Sequence, residues 1–337
     1  MALNMIKISR VSHATNSVTP LFLPLTFFDL LWLKHHPIER VTFYKLSESS
    51  SHDSFFSTIL PKLEQSLSLA LTNFLPLSGH IKWDPQDPKP HVIIFPQDTV
   101  SSLWLSPTLT SQDSPAKSKL RSLIPTLETS SNSSSILALQ ITLFPNQGFS
   151  LGLTTHHVIM DGKTSTNFHK SWAHICKYGT IPQGFVLPTH SDRTVINVSV
   201  GLEFKILQLL SYLSGDVDND TRTLKSPSAK EIDDDLVRVT LQLSQENIKK
   251  LKERTKNEST RSDLYLSTFV VKYAYVLTCV VKARGGNVDR PIRFMYAADF
   301  RNRLDPPVPL TYFGNCVLPI DIHFGRRWVC EWRGDSK

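Results

Sequence analysis

His156, His157 and Asp161 fall within one short stretch of this chain, LGLTTHHVIMDGKTST, and their types and spacing suit proton transfer. A histidine has its reference pKa near neutrality, so it can take a proton from a hydroxyl and return it within one cycle. His157 is the expected base. The pattern H-x-x-x-D alone is equally that of a structural histidine beside a turn aspartate, and its surroundings tip the balance. An apolar strand over residues 149–153 leads in, Gly162 marks a bend, and Lys163-Thr164-Ser165-Thr166 offers N-cap residues for a helix. A strand that delivers a side chain to its end, followed by a bend and a helix, is how α/β proteins present a group to a crevice. A metal site is not expected, because H-E-x-x-H is absent and no cysteine or third carboxylate lies nearby at ligand spacing.

The elements that must position these residues follow from periodicity and turn chemistry. Residues 136–144 and 149–155 read as two strands joined through Pro145-Asn146-Gln147-Gly148, a hairpin whose second strand delivers His157. Residues 168–176 continue as a helix with Phe168, Trp172 and Ile175 on one face. Upstream, residues 6–11, 41–46 and 91–95 read as strands, residues 20–33 as a buried irregular segment, and residues 55–74 as a helix. Residues 111–135, rich in Ser, Thr and Pro, read as surface loop. Downstream, residues 202–213 read as a helix, residues 236–243 as a strand, and Ser244 caps a charged helix through Thr255. Residues 267–284 are apolar all round and are expected to form a buried helix, followed by strands over 291–298 and 317–324. The acidic stretch 215–235 suits a linker. The expected organisation is therefore a mixed α/β fold with a first domain over 1–190, a linker over 191–235 and a second domain over 236–337.

Composition narrows the function classes. At 337 residues, 40% hydrophobic and 20% charged, the chain is ordinary for a globular protein with sizeable cores. Its +7 net charge is spread out, and basic residues do not interleave with aromatics, so no nucleic-acid partner is expected. A mildly basic surface fits an anionic small-molecule partner. Four cysteines far apart, without a C-x-x-C pair, do not form a disulfide scaffold. No stretch reads as a signal peptide or a membrane span, and the expected location is cytoplasmic.

The segment HHVIMDGKTS resembles the H-x-x-x-D-G motif of the plant BAHD acyltransferases. Three further stretches agree in order: LPLTFFDLLWLKHHPIERVTFYKL over residues 23–46, LSLALTNFLPLSG over 67–79, and ADFRNRLDPPVPLTYFGNC over 298–316. The last contains the Y-F-G-N-C motif of the anthocyanin and phenolic-glucoside acyltransferase branch, and the resemblance covers residues 1 to about 320. It implies two chloramphenicol-acetyltransferase-like domains with a channel between them. The family's D-F-G-W-G motif does not occur, and the tail GRRWVCEWRGDSK follows no period, so the second domain is expected to be incomplete.

The resemblance also implies the reaction: an acyl group, malonyl or hydroxycinnamoyl in type, moves from acyl-CoA to a hydroxyl of a phenolic or flavonoid glycoside. His157 would be the general base. Asp161 would turn away from substrate and pair with Arg301, with Gly162 structural beside it. The acyl-CoA channel would be lined around Ser267, Thr268, Lys272, Arg293 and Asn315, with Lys272 and Arg293 equally readable as surface charges. Arg193, in the S-D-R-T segment, is a candidate partner for a malonyl carboxylate. Acyl-CoA enters as co-substrate, no cofactor is bound, and the expected state is a monomer. A catalytically inactive relative with at most a binding role is the alternative.

Overall fold

The computed structural model describes residues 3–14, 19–46, 52–107, 120–145, 147–181, 192–199, 201–213, 223–225, 241–285, 287 and 290–325. The chain divides into two compact units, the first of residues 1–229 with 299–318, the second of residues 230–298 with 319–337. This corrects the expected boundary at one place: residues 299–318 leave the second domain and belong to the first unit, because their polar groups find partners there. The expected strand at 236–243 and the tail beyond residue 325 lie outside, or almost wholly outside, the described residues.

The first unit carries two sheets. Strands β1 (Leu3–Ser12), β6 (Thr99–Pro107), β8 (Leu137–Phe144), β9 (Gly148–Thr155) and β3 (Ile38–Lys45) form one in the order β1-β6-β8-β9-β3, antiparallel except for the β6–β8 pair. Strands β2 (Leu21–Pro24), β5 (His91–Ile94), β4 (His80–Lys82) and β7 (Ser133–Ser135) form the second, so part of the expected Ser-rich loop is in fact a strand. The β8–β9 hairpin pairs Leu137 with Thr155 at one end and Phe144 with Gly148 at the other. Both its strands are almost wholly buried, which is why their apolar character runs nearly unbroken.

Helix α2 (Leu60–Asn73), entered through a π-wound turn at Phe55–Ile59, and helix α3 (Gly162–Tyr178) pack on each other. Leu67, Leu71 and Phe74 from the first meet Phe168, Trp172 and Ile175 from the second within one apolar core. The Trp172 indole N–H donates to Ser66 Oγ at 3.0 Å, so even the polar tip is satisfied. Gly179 closes α3 in the left-handed conformation. The expected irregular segment 20–33 contains β2 and a single helical turn, α1 (Phe27–Leu30). That turn is held by a reciprocal capping box: Asp29 N donates to Thr26 Oγ1, and Thr26 N donates to Asp29 Oδ2 at 3.0 Å. Helix α4 (Leu202–Leu213) completes the described elements of this unit before residue 229.

In the second unit lie helices α5 (Gln245–Glu258) and α6 (Thr268–Arg284) and most of a two-stranded sheet of β10 (Pro291–Asp299) and β11 (Val317–Gly325). Ser244 caps α5, accepting from Asn247 N at 3.1 Å. The expectation that α6 is buried all round is overturned. Phe269, Val270, Tyr273 and Val276 are each 46–49% exposed, and only Val271 and Val281 are buried. The physical reason is cover: among the described residues, the second unit offers α6 one polar helix and two strands, too little to enclose an apolar cylinder.

Candidate active site

The histidine motif and its partners lie within the first unit. Strand β9 ends at Thr155, and the chain turns through His156 into a short 3-10 turn, His157–Ile159. The two histidines are then treated differently. His156 is 3% exposed, its backbone N–H donates to Ile136 O at 2.9 Å, and its Nδ1 accepts from Val158 N. Burial, with His157 alongside, pushes its pKa down to about 4, so it stays neutral. His157 is half-buried and its Nδ1 makes no hydrogen bond. Burial lowers its pKa as well, with His35 adding to the effect and Asp161 opposing it.

An aromatic surface faces His157. The Trp32 ring stacks on its imidazole with centroids 4.1 Å apart and planes 9° from parallel, and His35 meets Trp32 edge-on at 4.8 Å. Neither Trp32 nor His35 figures among the site residues that the sequence points to. Their signal was the run Leu31-Trp32-Leu33-Lys34-His35-His36, whose polar and aromatic members break an otherwise apolar stretch.

Asp161 caps α3, its Oδ1 accepting from Thr164 N at 3.0 Å. Its Oδ2 lies 2.8 Å from Arg301 Nη1 and accepts the Cys316 N–H at 3.1 Å. Arg301 is 2% exposed and also donates from Nη2 to Gly314 O at 3.1 Å, while Asp299 Oδ1 sits 3.2 Å from Nη1. The carboxylate is thus fully engaged by Thr164, Arg301 and Cys316. Burial pushes the Cys316 thiol up to about 12, which keeps it neutral between these charges.

Asn315, expected along the acyl-CoA channel, is fully buried beside His157. Its Nδ2 donates to His157 O at 2.9 Å and Val158 O at 3.0 Å, and its backbone N–H donates to Asp29 Oδ1 at 3.0 Å. It therefore fixes the main chain that carries His157. Arg193, the candidate partner for a malonyl carboxylate, is 6% exposed; its Nη1 lies 3.3 Å from Asp29 Oδ2 and donates to Tyr312 Oη at 2.9 Å. Among the described residues, its Nε and Nη2 are buried without a hydrogen-bond partner. Gly314 passes directly over it. A Cβ there would lie 2.2 Å from Arg193 Nη1, at a φ of +154°. Gly162, expected to be structural, has open space where a Cβ would be, so nothing steric demands a glycine there.

The remaining predicted residues belong to the second unit. Ser267 caps α6, its Oγ accepting from Val270 N at 3.2 Å. Thr268 and Lys272 are exposed, and Arg293 is paired with Asp321 at 2.8 Å. Among the described residues, no group of three His, Cys, Asp or Glu side chains could hold a metal ion, and no helix is long and apolar enough to cross a membrane.

The deciding finding is a family match. The model of the Transferase family matches residues 1–322. The chain belongs to the BAHD acyltransferases. An Arabidopsis thaliana BAHD acyltransferase is 70% identical over 328 residues, covering 96% of this chain and 72% of the relative. An agmatine coumaroyltransferase of the same plant is 57% identical, covering 96% and 73%, and its phenolic glucoside malonyltransferase 2 is 45% identical over the same shares. Among solved structures, vinorine synthase superposes with a TM-score of 0.60 at 20% identity, covering 99% of this chain and 73% of that one. A chain from F. graminearum, solved with coenzyme A and T-2 mycotoxin, superposes at 0.64 with 13% identity, covering 92% and 71%. The fold is therefore the mixed α/β, chloramphenicol-acetyltransferase-like one. Members of the family use acyl-CoA as co-substrate, and this chain is a BAHD acyltransferase.

Proposed function

We propose that the protein transfers an acyl group from acyl-CoA with His157 as general base. The observation that carries this is the division of labour between adjacent histidines. His156 is engaged by the fold, whereas His157 is half-buried with an unpaired ring nitrogen and a main chain clamped by Asn315. In the reaction the His157 imidazole removes the acceptor's proton as the acceptor heteroatom bonds to the thioester carbonyl carbon. The C–S bond then breaks, and the imidazolium returns the proton to the departing thiolate, leaving free thiol. Asp161 and Arg301 act as structural supports, holding residues 314–316 and the start of α3.

For the donor, a hydroxycinnamoyl group is favoured over malonyl. Arg193, the candidate cation for a malonyl carboxylate, is paired with Asp29, and the 57% identical relative is named a coumaroyltransferase. The expected acceptor is a hydroxyl of a phenolic or flavonoid glycoside, as the names of the malonyltransferase relatives support. A second reading, an amine acceptor, draws on the agmatine relative, and the same base serves either nucleophile.

The test crosses coumaroyl-CoA and malonyl-CoA with agmatine and a phenolic glucoside, following free thiol and product. Turnover is expected with coumaroyl-CoA, and His157→Ala is expected to lower kcat by roughly 10²–10⁴-fold without loss of fold. A fully active His157→Ala protein would remove the base; turnover with malonyl-CoA alone would remove the donor assignment.

A further inference from the structure

We propose that Trp32 is a positioning residue for this reaction: its indole face holds the His157 imidazole in plane and stabilises the imidazolium that forms when the acceptor's proton arrives. The inference rests on His157 being the base.

The two rings lie 4.1 Å apart at 9°, within the range at which a cation is attracted to an aromatic face. The indole Nε1 is buried and has no hydrogen-bond partner, so no polar contact of that nitrogen sets the ring's orientation. Ring packing does: His157 lies against its face, and His35 meets it edge-on. Beneath, the main chain is pinned, since Trp32 N donates to Asp29 O at 3.1 Å and His35 N donates to Trp32 O at 3.2 Å. Asn315 clamps the His157 carbonyl independently. Ring and backbone of the base are therefore fixed from two different segments of the first unit.

The energetics give this stack a direction. An aromatic face attracts a cation through its quadrupole and has much less hold on a neutral ring. The contact thus strengthens between the resting imidazole and the imidazolium of the proton-carrying stage, the differential stabilisation that accelerates a reaction. The titratable groups facing His157 are His35 across Trp32, His156 before it in the chain, and Asp161 beyond the turn, already paired with Arg301. His35 opposes a positive charge on His157, His156 is held neutral, and Asp161 favours the charge but is shared with Arg301. Burial also opposes the charge. The Trp32 face is what offsets that burial at the ring itself.

Fluorination separates the two effects of the indole, because it drains the face of negative charge while leaving shape and cover nearly unchanged. Mono-, di- and trifluorotryptophan placed at position 32 alone are compared with the native chain. The His157 ring is titrated by nitrogen NMR, and kcat/KM is followed against pH with coumaroyl-CoA and agmatine or a phenolic glucoside. The His157 pKa is expected to fall stepwise with fluorine content, by about one pH unit in total, with the acid limb of the activity profile moving in parallel. Trp32→Leu is expected to lower kcat/KM about ten-fold or more with KM little changed. A His157 titration indifferent to fluorine overturns the proposal, since the indole would then act as cover alone. If the NMR pKa moves and the acid limb does not follow, the failure lies in His157 as base, and the proposal falls with the reading beneath it.

Discussion

Asp29 and Asp161 grip neighbouring amides of one segment, the first at Asn315 and the second at Cys316, yet they reach it by different routes. Asp161 stands at the N-cap of α3, four residues after His157, inside a motif with its own local logic. Asp29 stands in a one-turn helix near the start of the sequence, and its partners Arg193 and Asn315 are 164 and 286 residues away. Their arginines differ as well. Arg301 has a second carboxylate, Asp299, within 3.2 Å, while Arg193 has, among the described residues, Asp29 and the Tyr312 hydroxyl. The lesson is that the more conspicuous aspartate has the better-insured partner.

Substitution at Asp29 puts that comparison under the greatest stress. Asp29→Asn is expected to destabilise the chain by about 3–5 kcal/mol, because it leaves the Arg193 charge buried without a carboxylate. Urea unfolding would measure it, and a cost below that of Asp161→Asn would reverse the ranking. Next comes acid. His156 is held neutral with a pKa of about 4, below its unfolded value near 6.5, so the unfolded chain binds the extra proton between those values. Its contribution is intact above pH 6.5 and is lost as the pH falls towards 4, by about 3 kcal/mol. His156→Asn, which keeps an acceptor for Val158 N, is expected to flatten stability against pH over that window. An unchanged slope would place the acid sensitivity elsewhere.

Asp161→Asn is expected to cost less, about 2 kcal/mol, since asparagine still caps α3 and Asp299 still faces Arg301. Activity is expected to fall more than stability does, through displacement of residues 314–316. The smallest effect belongs to Gly162→Ala, expected within about 0.5 kcal/mol of the native chain because its Cβ meets open space. A large loss there would show that the motif needs its glycine for a reason beyond sterics.

Local rules made the motif side legible. The hairpin, the helix after Asp161 and the α2 face were readable because periodicity and capping act within a few residues. The Asp29 side was partly hidden, although T-F-F-D is a capping-box pattern that reading residues 20–33 as irregular passed over. What no local rule exposes is the far partner. Arg193 was a candidate only as a cation and Asn315 only through the family resemblance, and it takes the fold to show that Asp29 and the His157 carbonyl engage them. The apolar girth of α6 misled for the opposite reason: hydrophobicity announces a need for cover without naming what provides it.

The first unit is discontinuous, since residues 299–318 return to it after the chain has passed through the second. A growing polypeptide therefore makes His157, Asp161 and Asp29 long before Asn315 and Cys316 exist to tie them together. Until about residue 316 leaves the ribosome, two carboxylates and the His157 carbonyl wait without the amides that later hold them. The contacts that tie these groups together are thus among the most non-local of the unit, and contacts so far apart in sequence form slowly.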